Sequence, residues 1–277
     1  MGPLRALVDA GHDVVLVVTR PDKRRGRGGA LLPSPVKAAA LDLDLPVTER
    51  IDDVVAADAE LGVVVAYGRL VKPHVLAALP MVNLHFSLLP RWRGAAPVER
   101  AVLAGDAVTG VCLMALEEGL DTGPIYACEE RAVGDDETAD ELRAALAGVG
   151  TRMLVDLLAA GLPTPRPQEG EPTYAVKVEP VEHHLDWSRP AVDLQRVVRL
   201  GHAWTTFRGK RLRVLRARVA GAGPRLDPGV LDGATLAVGT GQGALALVEV
   251  QPEGRGPQAA AAWRNGARPR PGEELGA

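Results

Sequence analysis

A side-chain amide and an imidazole stand two residues apart at Asn83 and His85, and a carboxylate follows at Asp121. Side chains alternate faces along an extended strand, so Asn83 and His85 share one face while Leu84 and Phe86 share the other. An Asn and a His side by side at the C-terminal end of a parallel strand lie where open α/β sheets bind ligands. Taken alone, the pair fits a structural histidine satisfied within the fold better than it fits a functional one. Asp121 lies in the tight turn Gly119-Leu120-Asp121-Thr122-Gly123. It can bond its own backbone, as turn aspartates do. Beside an imidazole it can instead orient the ring and fix where its proton sits. The run after His85, Ser87-Leu88-Leu89-Pro90 and then Arg91-Trp92-Arg93-Gly94-Ala95-Ala96-Pro97, favours the functional reading.

Two stretches carry excess positive charge. Residues 20–28 hold Arg20, Lys23, Arg24, Arg25 and Arg27 against Asp22 alone. A second stripe, Arg208, Lys210, Arg211, Arg213, Arg216 and Arg218, contains no acid. Each is either a solvated surface or a place where phosphates are neutralised. Trp187, Trp204 and Trp263 read as core anchors.

These groups need elements to hold them. Gly2-Pro3 opens a helix that closes at Gly11. The apolar runs Val14–Val18, Gly62–Tyr67 and Met81–Phe86 read as strands buried on both faces, as in a parallel sheet. Helices are expected from Val36 to about Leu43 and from Pro97 to Ala104, with a strand from Gly110 to Leu116. Ala139–Leu158 has helical period, with Leu142, Leu146, Val149, Met153, Leu154 and Leu157 on its inner face. The expected fold is therefore α/β, a Rossmann-like, mostly parallel sheet domain over residues 1–160. Four prolines between Gly161 and Pro172 mark a linker, placed at 161–180. Beyond a short helix at Ala191–Leu200, the runs Arg211–Val219, Thr235–Val238 and Ala244–Val250 suggest a small OB-like β-barrel domain over 181–265. The tail after Gln251 is expected to be poorly ordered at its end.

Composition narrows the classes. With 47% hydrophobic and 24% charged residues the chain is an ordinary globular protein. A net charge of -3 argues against indiscriminate nucleic-acid binding, though not against a local basic patch. Cys112 and Cys128 sit in no metal-binding spacing and read as two small apolar residues in a reducing compartment rather than as a disulfide. No apolar run approaches the ~20 residues of a membrane helix, and no secretory signal is seen. A cytoplasmic location without membrane association is expected.

The motif N-x-H-x-S-L-L-P followed by D-T-G resembles the signature of the folate-dependent formyltransferases. Ser87 to Pro97 is similar to the form found in the subgroup that acts on methionyl-tRNA. The likeness extends over nearly the whole chain, through Arg20-Pro21-Asp22, Val64-Val65-Ala66-Tyr67-Gly68 and Trp204-Thr205-Thr206-Phe207-Arg208-Gly209. It implies transfer of the formyl group of 10-formyltetrahydrofolate to the α-amino group of methionine on initiator tRNA, by a monomer and without a metal. It implies that Asn83, His85 and Asp121 are catalytic. Asn83 and a protonated His85 would hydrogen-bond the developing oxyanion, a donor worth roughly 3–4 kcal/mol of barrier. His85 backed by Asp121 would manage the proton. By the same resemblance, Ser87, Leu88, Leu89 and Pro90 lie against the folate, Arg69 to Val71 line its pterin pocket, and Lys23, Arg24, Arg25 and Arg27 meet the tRNA acceptor stem, with Arg27 on the basic residue of a G-R-G tip.

Two features depart from that pattern. The family opens with an apolar strand and a Gly-Thr-Pro loop ahead of the first helix; here both are missing. Loss of a central strand would leave two neighbours with unpaired backbone, so an upstream start codon is expected. The segment Leu200–Trp204 is also shorter than in relatives. A catalytically impaired RNA-binding homologue, or a formyltransferase for a nucleotide-sugar amine, are the alternative readings.

Overall fold

The computed structural model describes every residue except 1, 26–28, 222, 224 and 277, and for Lys23, Arg25 and Ala30 only the backbone. The chain divides into two compact units: 1–97 with 108–132 and 143–175, and 98–107 with 133–142 and 176–277.

In the first unit, helix α1 (Gly2–Asp9) precedes strand β1 (Val17–Val18), and the hairpin β2–β3 (Lys23–Arg25, Ala30–Leu32) follows. Helix α2 (Pro35–Asp42) begins where Ser34 accepts a hydrogen bond from the Lys37 amide and a proline occupies the first turn. Strand β4 (Val47–Thr48) pairs with β1 in parallel. A second sheet orders β5 (Gly62–Val65), β6 (Met81–His85), β8 (Val108–Ala115) and β9 (Ile125–Ala132) side by side. Helix α3 (Pro73–Ala78) links the first pair, which is parallel; the two later pairs are antiparallel. Between them in sequence, β7 (Arg93–Gly94) pairs in parallel with β10 (Tyr174–Ala175).

All five residues of β6 are buried. In contrast, β5 is wholly apolar yet only half-buried along its length, and among the described residues it pairs with β6 alone. Among the described residues, strand β1 pairs with β4 alone and is two residues long, not the five of the apolar run, because only Val17 and Val18 find strand partners there. Ala66 takes a left-handed backbone (φ 49°), which ends β5 short of Tyr67. Strand β9 was not anticipated: Glu129, Glu130 and Arg131 mask its alternation, as suits an edge strand that faces solvent.

Helix α5 (Ala139–Ala160) buries Leu142, Leu146, Met153 and Leu154, with Val149 and Leu157 half-buried. Its approach to the sheet is close because Gly150 has no side chain. A Cβ there would lie 2.9 Å from Val111 and 3.3 Å from Leu84.

The second unit contains α4 (Pro97–Ala104) apart from its first residue, and helix α6 (Ala191–Arg199), which Gly201 (φ 82°) turns into β11 (Trp204–Phe207). β11, β12 (Lys210–Val219), β14 (Ala244–Pro252) and β13 (Ala237–Gly239) form an antiparallel sheet in that order, with β15 (Gln258–Ala259) also on β14. The result is a curled half-barrel, and a register shift between Val214 and Ala217 bends β12. The tail is ordered, contrary to expectation. Helix α7 (Ala260–Ala267) buries Trp263 edge-on against Phe207, with ring centroids 5.1 Å apart, and Leu275 is buried near the C-terminus. Trp187 and Trp263 anchor the core as expected. Trp204 is half-exposed and lies under the Arg211 guanidinium, 4.5 Å from its ring centroid.

Three of the six basic residues in the stripe from Arg208 to Arg218 are paired with acids within their own unit. Arg208 pairs with Glu273, Arg216 with Glu141 and Arg218 with Asp136, while Arg213 binds Gln251 and the Gly201 carbonyl. The acids come from elsewhere in sequence, which is why the stripe looks unopposed in one dimension.

Glu141 closes a capping box at the start of α5: its carboxylate takes the Thr138 amide at 2.8 Å, and the Thr138 hydroxyl takes the Glu141 amide at 3.2 Å. The Thr138 amide first, then its hydroxyl and Arg216, hold the Glu141 carboxyl at about 2 instead of 4.5. A group depressed on folding adds stability above its unfolded value and loses it as pH falls through the folded one. Glu141→Gln is therefore expected to lower the thermal midpoint at pH 7. The gap from the native chain should close between about pH 4.5 and 2, which scanning calorimetry across that range measures.

Candidate functional site

The C-terminal half of β6 carries the polar pair. Asn83 lies opposite Val64 on β5 and Met114 on β8, and His85 opposite Cys112. Both side chains are buried, Asn83 at 9% exposure and His85 at 5%. Among the described residues nothing hydrogen-bonds the Asn83 amide, so its two N–H donors remain available to an incoming oxygen.

His85 is held at both nitrogens. Nε2 lies 2.9 Å from the Trp92 carbonyl oxygen, which only accepts, so this nitrogen carries the proton. Nδ1 faces the Asp121 carboxylate at 3.6 Å. Asp121 is itself 12% exposed, and its Oδ2 accepts the Gly94 backbone N–H at 2.8 Å. The fold thus brings Asn83, His85 and Asp121 together, with the Asp121 loop fixed to the turn that follows β6.

Both loops depend on unusual backbone. Asp121 has φ 50° and Trp92 φ 63°, left-handed values that cost free energy unless surrounding contacts impose them. Gly94 has φ 120°, and a Cβ there would meet the Ala175 carbonyl oxygen at 2.9 Å. A Cβ on Gly123 would sit on the Ala115 carbonyl oxygen. The glycines of this region are therefore steric requirements as well as turn signals.

The expected folate-side residues are split in role. The Ser87 side chain is wholly buried and its hydroxyl donates to the Arg91 carbonyl at 2.5 Å, so it braces its own loop. Leu89 is buried, while Leu88 and Pro90 are half-buried, with a cis peptide between Leu89 and Pro90. In the turn after β5, Leu70 is 75% exposed.

Of the basic loop, Arg24 is exposed and its guanidinium reaches the Gly29 carbonyl at 3.4 Å. Arg27 and the side chains of Lys23 and Arg25 lie outside the described residues. Arg20 does not project with them; it turns back and donates to the Tyr67 carbonyl from Nε and Nη2, at 3.0 and 2.7 Å. Lys37, raised by its hydrogen bonds to Asp22 and then Glu49, ties the foot of this hairpin to α2.

Two features escaped the sequence. Cys112 and Cys128 form a disulfide between facing positions of β8 and β9, correcting the reading of two free thiols. The pairing depends on β9, whose register sets Cys128 opposite Cys112. Gln168, in the proline-rich stretch read as a linker, touches both site loops: it accepts from Arg93 and donates to the Asp121 and Gly123 carbonyls. No spacing rule flags a lone glutamine among prolines.

A family profile described as "Formyl transferase" matches residues 4–158, and one described as "Formyl transferase, C-terminal domain" matches 177–268. A methionyl-tRNA formyltransferase of Clavibacter sepedonicus is 44% identical over 282 residues, covering 95% of this chain and 92% of the relative. One from Jannaschia sp. is 42% identical, covering 98% and 95%. Among solved structures, methionyl-tRNA formyltransferase from Clostridium thermocellum superposes with TM-score 0.56 at 17% identity, covering 68% of this chain and 88% of that one. WlaRD, a sugar 3N-formyl transferase, superposes with TM-score 0.66 at 14% identity, covering 92% and 94%.

Gly123→Ala is expected to destabilise the native state by about 1–3 kcal/mol through forced displacement of β8. The loss should be read as a lower urea midpoint at unchanged slope.

Proposed function

The chain belongs to the formyl transferase family through both its domains, and from that premise we propose that it formylates the α-amino group of methionyl initiator tRNA with 10-formyltetrahydrofolate as donor. The observation that carries this reading is identity above 40% to methionyl-tRNA formyltransferases over nearly the full chain. Likeness to the sugar formyltransferase, at 14% identity, speaks to fold alone.

The residues fit the donor's chemistry. 10-Formyltetrahydrofolate supplies a formyl carbon already activated on nitrogen, so no metal is needed to polarise it. Asn83 offers a buried amide with both N–H groups free of partners among the described residues, suited to the formyl oxygen as charge builds on it. Water exclusion around β6 strengthens that hydrogen bond. His85 stands two residues further along the same face, oriented by the Trp92 carbonyl and the Asp121 carboxylate. In this role its Nδ1, the nitrogen without a proton, takes the proton that the attacking amine releases and passes it to the departing folate nitrogen, directly or through one water. Asp121 keeps the ring from rotating and balances the charge it acquires. Leu88, Leu89 and Pro90 supply an apolar edge for the folate. On the tRNA side, the β2–β3 hairpin offers Arg24, and with Lys23, Arg25 and Arg27 it neutralises acceptor-stem phosphates. The same reading takes the protein as a cytoplasmic monomer.

Purified protein is expected to formylate methionyl-tRNA with 10-formyltetrahydrofolate and to leave a nucleotide-linked amino sugar unmodified; the reverse preference would reassign the substrate. In the same assay Asn83→Ala should lower kcat by about 10²–10³-fold, and His85→Ala by about 10²–10⁴-fold.

A further inference from the structure

We infer that Gln168 is a positioning residue for the reaction, the side chain that sets the distance between the Asp121 loop and the turn carrying Trp92 to Gly94. The inference rests on the formylation reading above.

The segment from Arg166 to Ala175 runs against this site as a strap. Arg166 and Ile125 exchange backbone hydrogen bonds of 2.8 and 2.7 Å. The Thr173 hydroxyl accepts the Trp92 amide at 2.9 Å, and the Thr173 carbonyl accepts the Arg93 amide at 2.9 Å. The Ala175 carbonyl accepts the amides of Ala95 and Ala96. These are contacts to one loop at a time.

Gln168 differs because its amide reaches both loops and fills its capacity in doing so. Oε1 accepts from Arg93 Nε at 3.0 Å and Nη2 at 2.6 Å. Nε2 donates to the carbonyls of Asp121 and Gly123, each at 2.8 Å. The partners fix which end is oxygen: a guanidinium only donates and the two carbonyls only accept. A glutamate would keep the Arg93 bonds and set charge against two carbonyl oxygens; no other common side chain of this length satisfies both sides.

The consequence bears on His85. Nδ1 stands 3.6 Å from the Asp121 carboxylate, beyond ordinary hydrogen-bond length, so the ring is steered by a charge whose place must be set from behind. Behind it, the Asp121 backbone carbonyl is held by Gln168 while the carboxylate is held by the Gly94 amide. Gly94 in turn follows Arg93, which Gln168 also holds. Removing Gln168 takes away the hold on the Asp121 and Gly123 carbonyls, and leaves the Gly94 amide and the longer His85 contact to keep the Asp121 carboxylate in place. Gln168 touches neither the reacting atoms nor Asn83, so its loss should act on turnover rather than on substrate binding.

The test reads kcat and KM for methionyl-tRNA and folate, and the proton resonance of the Gly94 amide, in native protein, Gln168→Ala and Gln168→Glu. Expected are a kcat lower by about 10–100-fold, as misplacement of a catalytic group by about 1 Å produces, with each KM within about threefold. The Gly94 resonance should move upfield as its carboxylate acceptor is loosened. A variant with native kcat, or with lower kcat but an unmoved Gly94 resonance, overturns the inference. If Gln168→Ala does not fold, the same readings on Gln168→Glu, which retains the acceptor for Arg93, decide by the same criteria. Native protein that fails to turn over sinks the formylation reading itself. Native turnover with an unaffected variant sinks only the role of Gln168.

Discussion

The hydrogen bond from the Gly94 amide to the Asp121 carboxylate is the constraint on which the site depends. A buried carboxylate without partners is costly, and this one is met by a backbone N–H 2.8 Å away and an imidazole 3.6 Å away. For Gly94 to present its amide there, its backbone must take φ 120° and lie against the Ala175 carbonyl, which excludes any side chain. For Asp121 to reach it, residue 121 must sit at φ 50° and Gly123 must pass over the Ala115 carbonyl. One bond therefore dictates two strained loops and two glycines, and the strap from Arg166 to Ala175 holds them in register.

The sheet beneath the site is unevenly supported. Strand β6 has neighbours on both edges and is buried throughout, so Asn83 and His85, the residues proposed for the chemistry, sit on the sheet's best-supported strand. Strand β5 has one neighbour among the described residues, and its three valines stay half-exposed despite their composition. Between the ends of β1 and β5 the connection is a side chain: Arg20 spans to the Tyr67 carbonyl. Charge that looked available to a polyanion is spent there on backbone.

The same lesson holds for the half-barrel. The stripe on β12 has no acid within it, yet Asp136, Glu141 and Glu273 arrive from distant segments and pair with its arginines. Exposed pairs of this kind add little stability. They do reduce the net field that a phosphate backbone would meet, which leaves the β2–β3 hairpin as the better candidate for that contact.

The sequence by itself determined the chemistry and the local elements. The period-2 pattern put Asn83 and His85 on one face, the apolar runs marked β5 and β6, helical spacing from Val36 marked α2, and helical period marked α5 with its inner leucines. Those are short-range signals, and short-range geometry obeys them. Only the tertiary structure decided what depends on partners far along the chain. Strand β9 is polar and becomes a strand by pairing with β8; Cys112 and Cys128 become a disulfide through that pairing. The tail after Gln251 is ordered because Trp263 finds Phe207. Gln168 looked like one residue in a linker, and it acquires its role from three carbonyl and guanidinium groups brought to it by the fold, contacts at separations of 45 to 75 residues that no local pattern encodes.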